Sequence, residues 1–179
     1  MGELAERLSL LGIEARSPDG GLTATVRGRG EVRVSFARDS YSRYAAAGLA
    51  RQLEQLAALA WARYRRRYLQ IVAAYVNAGD ETAESEEDRI FRQRLEQLTV
   101  SGVSGRQWVR VRSRALVSWE VRIAGEPVGS LTEQEFLAEL DSAVAGLLAD
   151  HRAKLILLTD AVHDIGLPRA MRTAGRENL

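Results

Sequence analysis

Arginine carries the chemistry that this sequence offers most plainly. Lys154 is the one lysine among 25 basic residues, and the other 24 are arginine. Arg27, Arg29 and Arg33 lie in or beside the turn Gly28-Arg29-Gly30, and Arg63, Arg65, Arg66 and Arg67 fall in the run Arg63-Tyr64-Arg65-Arg66-Arg67-Tyr68. Arg110, Arg112 and Arg114 alternate in a later stretch. Guanidinium groups beside phosphates release counterions and hold duplex DNA without reading its sequence. The competing reading is that these arginines solvate an outer sheet face or pair with acidic helices. The codon bias of a GC-rich genome also favours arginine over lysine without any function.

Charge is unevenly spread although the net value is +1. Residues 1–75 carry 12 Arg against 7 acids, and residues 105–123 carry 5 Arg against 1 acid. Residues 76–104 hold 3 Arg against 7 acids, and residues 124–164 hold Arg152 and Lys154 against 8 acids. The basic charge therefore gathers on two hairpin regions and one helix, while the last helical region repels phosphate.

Other reactive groups are sparse. Cysteine is absent, which excludes disulfides, thiol catalysis and Cys-metal sites. His151 and His163 are 12 residues apart, about 3.3 helical turns, so they point to different sides. Glu133, Glu135, Glu139 and Asp141 read as a solvated face, not an acid–base pair. Gly28-Arg29-Gly30 turns strand to strand, with no following helix N-terminus to bind an anion, so it is no phosphate loop. No enzyme activity, cofactor or metal site is expected. Trp61, Tyr64, Tyr68, Val72 and Tyr75 follow helical spacing. Such a stripe can stack bases, but the preferred reading is burial against Leu140, Val144 and Leu147.

The elements that must position these groups follow from periodicity. Leu4, Leu8 and Leu11 share one helix face, and Gly12 is placed to end that helix. Ile13–Arg16 reads as a short strand, Ser17–Gly21 as a turn, and residues 22–36 as a hairpin with one apolar face. Asp39 and Ser40 are candidate N-caps for a long helix over 40–77. The same order then returns. Phe91, Leu95, Leu98 and Val100 stand 87 positions after Leu4, Leu8, Leu11 and Ile13. Val109, Val111, Val117, Trp119 and Val121 stand 85 after Ala24, Val26, Val32, Val34 and Phe36. Phe136 and Leu140 stand 87 after Leu49 and Leu53. Ser85 with Asp88, and Thr132 with Glu135, are spaced to cap helices, the second of which runs to about residue 164. Gly166-Leu167-Pro168 stops it.

The expected fold class is α+β, from two tandem helix–three-strand–long-helix units. The units are 1–77 and 85–164, with a polar linker between them and a C-terminal tail, 165–179. Each half alone leaves a sheet edge and a long helix poorly covered. The two halves are therefore expected to pair about a pseudo-two-fold axis, their antiparallel hairpins continuous or closely packed.

The stretch Gly21-Leu22-Thr23-Ala24-Thr25-Val26-Arg27-Gly28-Arg29-Gly30-Glu31-Val32-Arg33-Val34, followed by an Ala/Leu-rich helix, resembles the YbaB/EbfC family. The resemblance covers roughly residues 1–70 and, more weakly, 88–160. It implies an α-β-β-β-α unit that pairs with a copy of itself and binds DNA as a nucleoid-associated protein. Here two units stand in one chain, and the second turn, Arg112-Ser113-Arg114-Ala115-Leu116, lacks the glycines. The expectation is a non-enzymatic protein in the cytoplasm, at the nucleoid, holding duplex DNA through the ten arginines named above. The alternative is a protein-interaction module with a YbaB-like fold, such as a secretion-linked chaperone or adaptor; a further homodimer stays open. No run of about 18 apolar residues occurs, so no membrane partner is expected. Met1–Glu6 has no basic segment leading into an apolar one, so no signal peptide is expected either.

Overall fold

The computed structural model describes residues 3–28, 30–74, 85–124 and 127–166. Arg29, Tyr75, the linker and the residues after 166 lie outside these. The first half runs α1 (Glu3–Ser9), β1 (Gly12–Arg16), β2 (Leu22–Arg27), β3 (Glu31–Phe36) and α2 (Ala46–Ala73). The second runs α3 (Glu86–Gln97), β4 (Thr99–Val103), β5 (Val109–Arg114), β6 (Ser118–Ile123) and α4 (Glu133–His163). The architecture is α+β, with two three-stranded antiparallel sheets ordered β1-β2-β3 and β4-β5-β6. The sheets stay separate and do not share a ladder.

The strand ranges of the two halves differ by one offset of 87 throughout, and the long helices start 87 residues apart. The 85-residue spacing of the hairpin residues is thus corrected by two. The buried residues of β2 are Leu22, Ala24 and Val26, and those at the same places in β5 are Val109, Val111 and Ser113. Ser113 breaks the apolar alternation, which hid the register. Its burial is tolerated because its hydroxyl donates to the Ser118 carbonyl at 2.7 Å. Val117, read as an inward strand residue, lies in the turn and is 60% exposed.

Local chemistry explains the element boundaries. In the turn Ser17–Gly21, the Asp19 carboxylate accepts from the Gly21 amide at 3.0 Å, from the Ser17 hydroxyl at 2.6 Å and from the Tyr44 hydroxyl at 2.6 Å. Burial pushes the Asp19 carboxyl up, but hydrogen bonds from Ser17, Tyr44 and Gly21 outweigh it and hold it below the usual range. Burial and the same bond push the Tyr44 phenol up to about 12. Both expected capping boxes form, Ser85 with Asp88 on α3 and Thr132 with Glu135 on α4. The start of α2 differs from expectation. Asp39 takes a φ of 56°, and Ser40 donates to the Gly21 and Ala37 carbonyls instead of capping. A single 3-10 turn, Tyr41–Arg43, intervenes, and α2 starts after Ala45 without a side-chain cap. At 28 residues α2 is about 42 Å long, shorter than the span read from the sequence. Gly12 opens β1 and does not terminate α1.

The long helices tie the halves together. α2 packs on its own β1 and β2 and also on β6; α4 packs on its own β4 and β5 and also on β3. Each outer strand thus has a helix against it, which blunts the edges that a lone half would expose. Polar side chains fasten the helices to the outer strands, once between the halves, from Glu54 to β6, and otherwise within one half. Glu54 accepts from the Val121 amide at 2.9 Å, and Asp150 accepts from the Ser101 amide at 2.9 Å. Arg63 donates to the Glu14 carbonyl at 2.6 Å, and Lys154 donates to the Thr99 carbonyl at 2.9 Å. Glu14 and Ser101 occupy matching places, as do Arg63 and Asp150, so opposite charges serve the same joint. One apolar core runs through both halves, with Leu49, Phe136 and Leu22 fully buried. Phe36 and Tyr41 of the first half pack on Phe136 at ring separations of 6.1 and 5.7 Å. The Tyr41 hydroxyl donates to the Leu131 carbonyl at 3.2 Å.

Candidate functional site

Alternation along β5 turns Val109, Val111 and Ser113 inward and Arg110, Arg112 and Arg114 outward. The three arginines are exposed, about 7 Å apart along the strand at about 3.4 Å per residue. None of their side chains makes a hydrogen bond or ion pair with a described residue. Their cross-strand neighbours are Val103, Ser101 and Thr99 on β4 and Arg122, Glu120 and Ser118 on β6. Arg122 reaches Glu120 at 2.6 Å. This outer face carries four arginines against one glutamate, with Lys154 at the β4 side of a shallow hollow over it.

The outer face of the first sheet is different. Arg16 pairs with Glu14 at 3.4 Å, and Arg33 with Glu31 at 3.2 Å. Arg27 is exposed without a described partner, and Arg29 lies outside the described residues. The two arginine sets are therefore not equivalent. With an offset of 87, Arg114 matches Arg27, while Arg110 and Arg112 stand where the first half has Thr23 and Thr25. The charge that the first sheet balances with carboxylates stays uncompensated on the second.

The α2 arginines separate as well. Arg63 is occupied at the β1 edge, and Arg67 donates to Gln70 at 3.4 Å. Arg66 is exposed, and Arg65 lines a cleft between α2 and α4. The acids of α4 that looked unfavourable for phosphate are largely engaged at home. Glu139 pairs with Arg106 at 3.5 Å, Asp150 with Lys154 at 3.2 Å, and Glu135 caps its own helix.

The cleft has a volume of about 470 Å³. Its floor is the inner faces of both sheets, and its walls are α2 and α4. Matching positions face it from both sides: Leu53 and Leu140, Ala57 and Val144, Trp61 and Leu148, Tyr64 and His151, Arg65 and Arg152, Tyr68 and Leu155. Trp61 stacks on Tyr64 at 5.9 Å, and Tyr64 on Tyr68 at 6.5 Å. The Tyr64 hydroxyl donates to the Gly28 carbonyl at 3.2 Å. Burial raises the Tyr64 phenol, with Tyr68 adding to it. Burial lowers the His151 imidazole, and Arg152 beside it acts in the same direction against Asp150.

Here the structure corrects a further expectation. Trp61 and Tyr64 are half-buried and Tyr68 is 39% exposed, because the stripe faces a cavity and does not interlock with Leu140, Val144 and Leu147. The sheets hold the two helices apart. Sequence reasoning found the aromatic wall by its spacing but missed the facing wall, whose signal was the same 87-residue offset carried into α4. Among the described residues, no three His, Asp or Glu side chains converge as a metal site would require, and no helix is long and apolar enough to cross a membrane. No family model, curated protein or solved structure matches the chain.

Proposed function

We propose that the protein is a non-enzymatic, nucleoid-associated-like protein that holds duplex DNA by its phosphates, weakly and without reading sequence. The observation that carries this is the row Arg110, Arg112 and Arg114, exposed and unpaired on one sheet face. A flat face of guanidinium groups meets phosphate oxygens but inserts nothing into a groove, so contacts of this kind position the duplex without discriminating bases. Arg27 and Arg66 add exposed charge elsewhere, whereas Arg33 and Arg63 serve the fold's own ion pair and edge joint. The reading includes a YbaB/EbfC-like tandem pseudo-dimer. It is supported by the uniform 87-residue offset, the identical strand order and the reciprocal packing of each long helix on the other half's third strand.

The test is fluorescence anisotropy with labelled duplexes of unrelated sequence, titrated at several salt concentrations. The parent should bind all of them alike, with a steep salt dependence. Replacing Arg110, Arg112 and Arg114 together by Gln should flatten the slope by about 0.9 for each phosphate no longer neutralised, so by about 2.7 in total. A parallel Arg65, Arg66 and Arg67 triple variant should change it less, because these arginines stand on a helix away from that face and Arg67 is engaged by Gln70. Folded parent that shows no binding at low salt would remove the DNA reading and leave a protein-interaction module as the better one.

A further inference from the structure

We propose that the cleft between α2 and α4 binds a single-chain amphipathic anion, a long-chain carboxylate, with its alkyl chain between the helices and its head between Arg65 and Arg152. The cavity, about 470 Å³, falls within the ~300–1,000 Å³ of small-molecule sites, and its lining is almost wholly apolar. A packed interior would not leave such a space open. The lining also includes Arg65 and Arg152, one from each wall at matching positions; both are exposed, and neither side chain makes a hydrogen bond or ion pair with a described residue. An apolar ligand without charge would leave both unused. A cation would be repelled by them. A planar carboxylate suits a guanidinium fork.

The walls also differ in a way that fits one chain held asymmetrically. The α2 side offers Trp61, Tyr64 and Tyr68, where the α4 side offers Leu148, His151 and Leu155. A symmetric pairing of two copies would present the same wall twice. Here the walls have diverged while the arginine on each is kept. The cleft is separate from the DNA-binding surface, which is the outer face of the second sheet.

The test uses dodecanoate, with dodecyltrimethylammonium as the chain-matched cation, both below their micelle concentrations. Calorimetry and tryptophan fluorescence are the readouts, since Trp61 and Trp119 both line the cleft. Dodecanoate should bind the full chain at one site, about tenfold or more tighter than the cation, the equivalent of about 1.4 kcal/mol. The double variant Arg65→Gln, Arg152→Gln should keep its fold, judged by its melt, and lose that preference. Ala57→Phe, which fills the cavity, should abolish uptake of both probes. The Arg110, Arg112 and Arg114 variant should bind dodecanoate like the parent. The idea is overturned by absence of saturable binding, by equal affinity for both probes, or by a double variant that retains the preference. An amphipathic helical peptide that saturates the cleft where dodecanoate does not would assign it to a protein partner instead.

Discussion

Two residues of the second hairpin are held in a backbone conformation that their side chains oppose. Ala115 and Leu116 have φ values of 54° and 56°. The first of them matches Gly28, whose φ is 50°. The three-residue loop between Arg114 and Ser118 is closed by the Val117 amide donating to the Arg114 carbonyl at 3.0 Å, and the two central residues of that turn take the positive φ that a type I′ turn requires. Leu116 offsets its strain by being buried at 5% exposure and by its carbonyl accepting from the Trp119 indole at 2.9 Å. Ala115 has no such compensation in its side chain, and the left-handed conformation costs about 1–2 kcal/mol for a residue with a Cβ. Ala115→Gly should therefore stabilise the protein by about 1 kcal/mol, raising the melting temperature by roughly 2–4 °C in a chain of this size. A thermal melt that moves down, or not at all, would show that the strain is absorbed elsewhere. Leu116→Gly should do the opposite, since it removes a buried side chain as well.

At the scale of elements, the long helices do what the sheets cannot do alone. α4 lies so close on β4 that Gly102 is in effect part of the contact: a Cβ there would overlap the Ala143 carbonyl oxygen and the Leu147 amide. The obstacle is backbone, so no side-chain rotation can relieve it. Gly102→Ala should destabilise by about 3 kcal/mol, the upper part of the range for overpacking a tight interior. The facing Gly146 supplies the control, because a Cβ on it meets only ordinary van der Waals neighbours, the nearest at 3.5 Å. Gly146→Ala should be neutral or stabilising, through helix propensity. Urea denaturation of the two variants decides the matter, and equal midpoints would contradict the close approach. Much of this level was legible beforehand. The capping boxes at Ser85 and Thr132 marked α3 and α4, and the alternation around Ala24 marked β2. The edge joints were not legible, because Glu54 meets the Val121 amide 67 residues away and no local pattern announces it. The register of β5 was misread where Ser113 replaced an apolar residue. Of the candidate site, the arginine residues were legible by composition. Which of them stay unpaired was legible only in part: Glu14 and Glu31 stand two places from Arg16 and Arg33 along one strand, whereas Arg63 meets the Glu14 carbonyl 49 residues away with no local pattern to announce it.

The whole molecule is built from two similar parts that share one apolar core. Its largest buried side chains come from both halves, and Tyr41, Phe36 and Phe136 join them across the middle. Separating the halves would expose the inner faces of both sheets, the cleft walls and the β3 and β6 edges at once. A unit of about 80 residues buries too little of its surface to withstand that exposure. Fragments 1–77 and 78–179, made separately, should show no cooperative melt as monomers. Mixed in equal amounts, they should form a heterodimer whose melting temperature rises with concentration, because its stability is then tied to association. Circular dichroism melts and sedimentation of each fragment and of the mixture measure this directly. A monomeric fragment that melts cooperatively would show that each half closes its own core. The packing of α2 on β6 and of α4 on β3 would then be docking between finished domains, and not the completion of one fold.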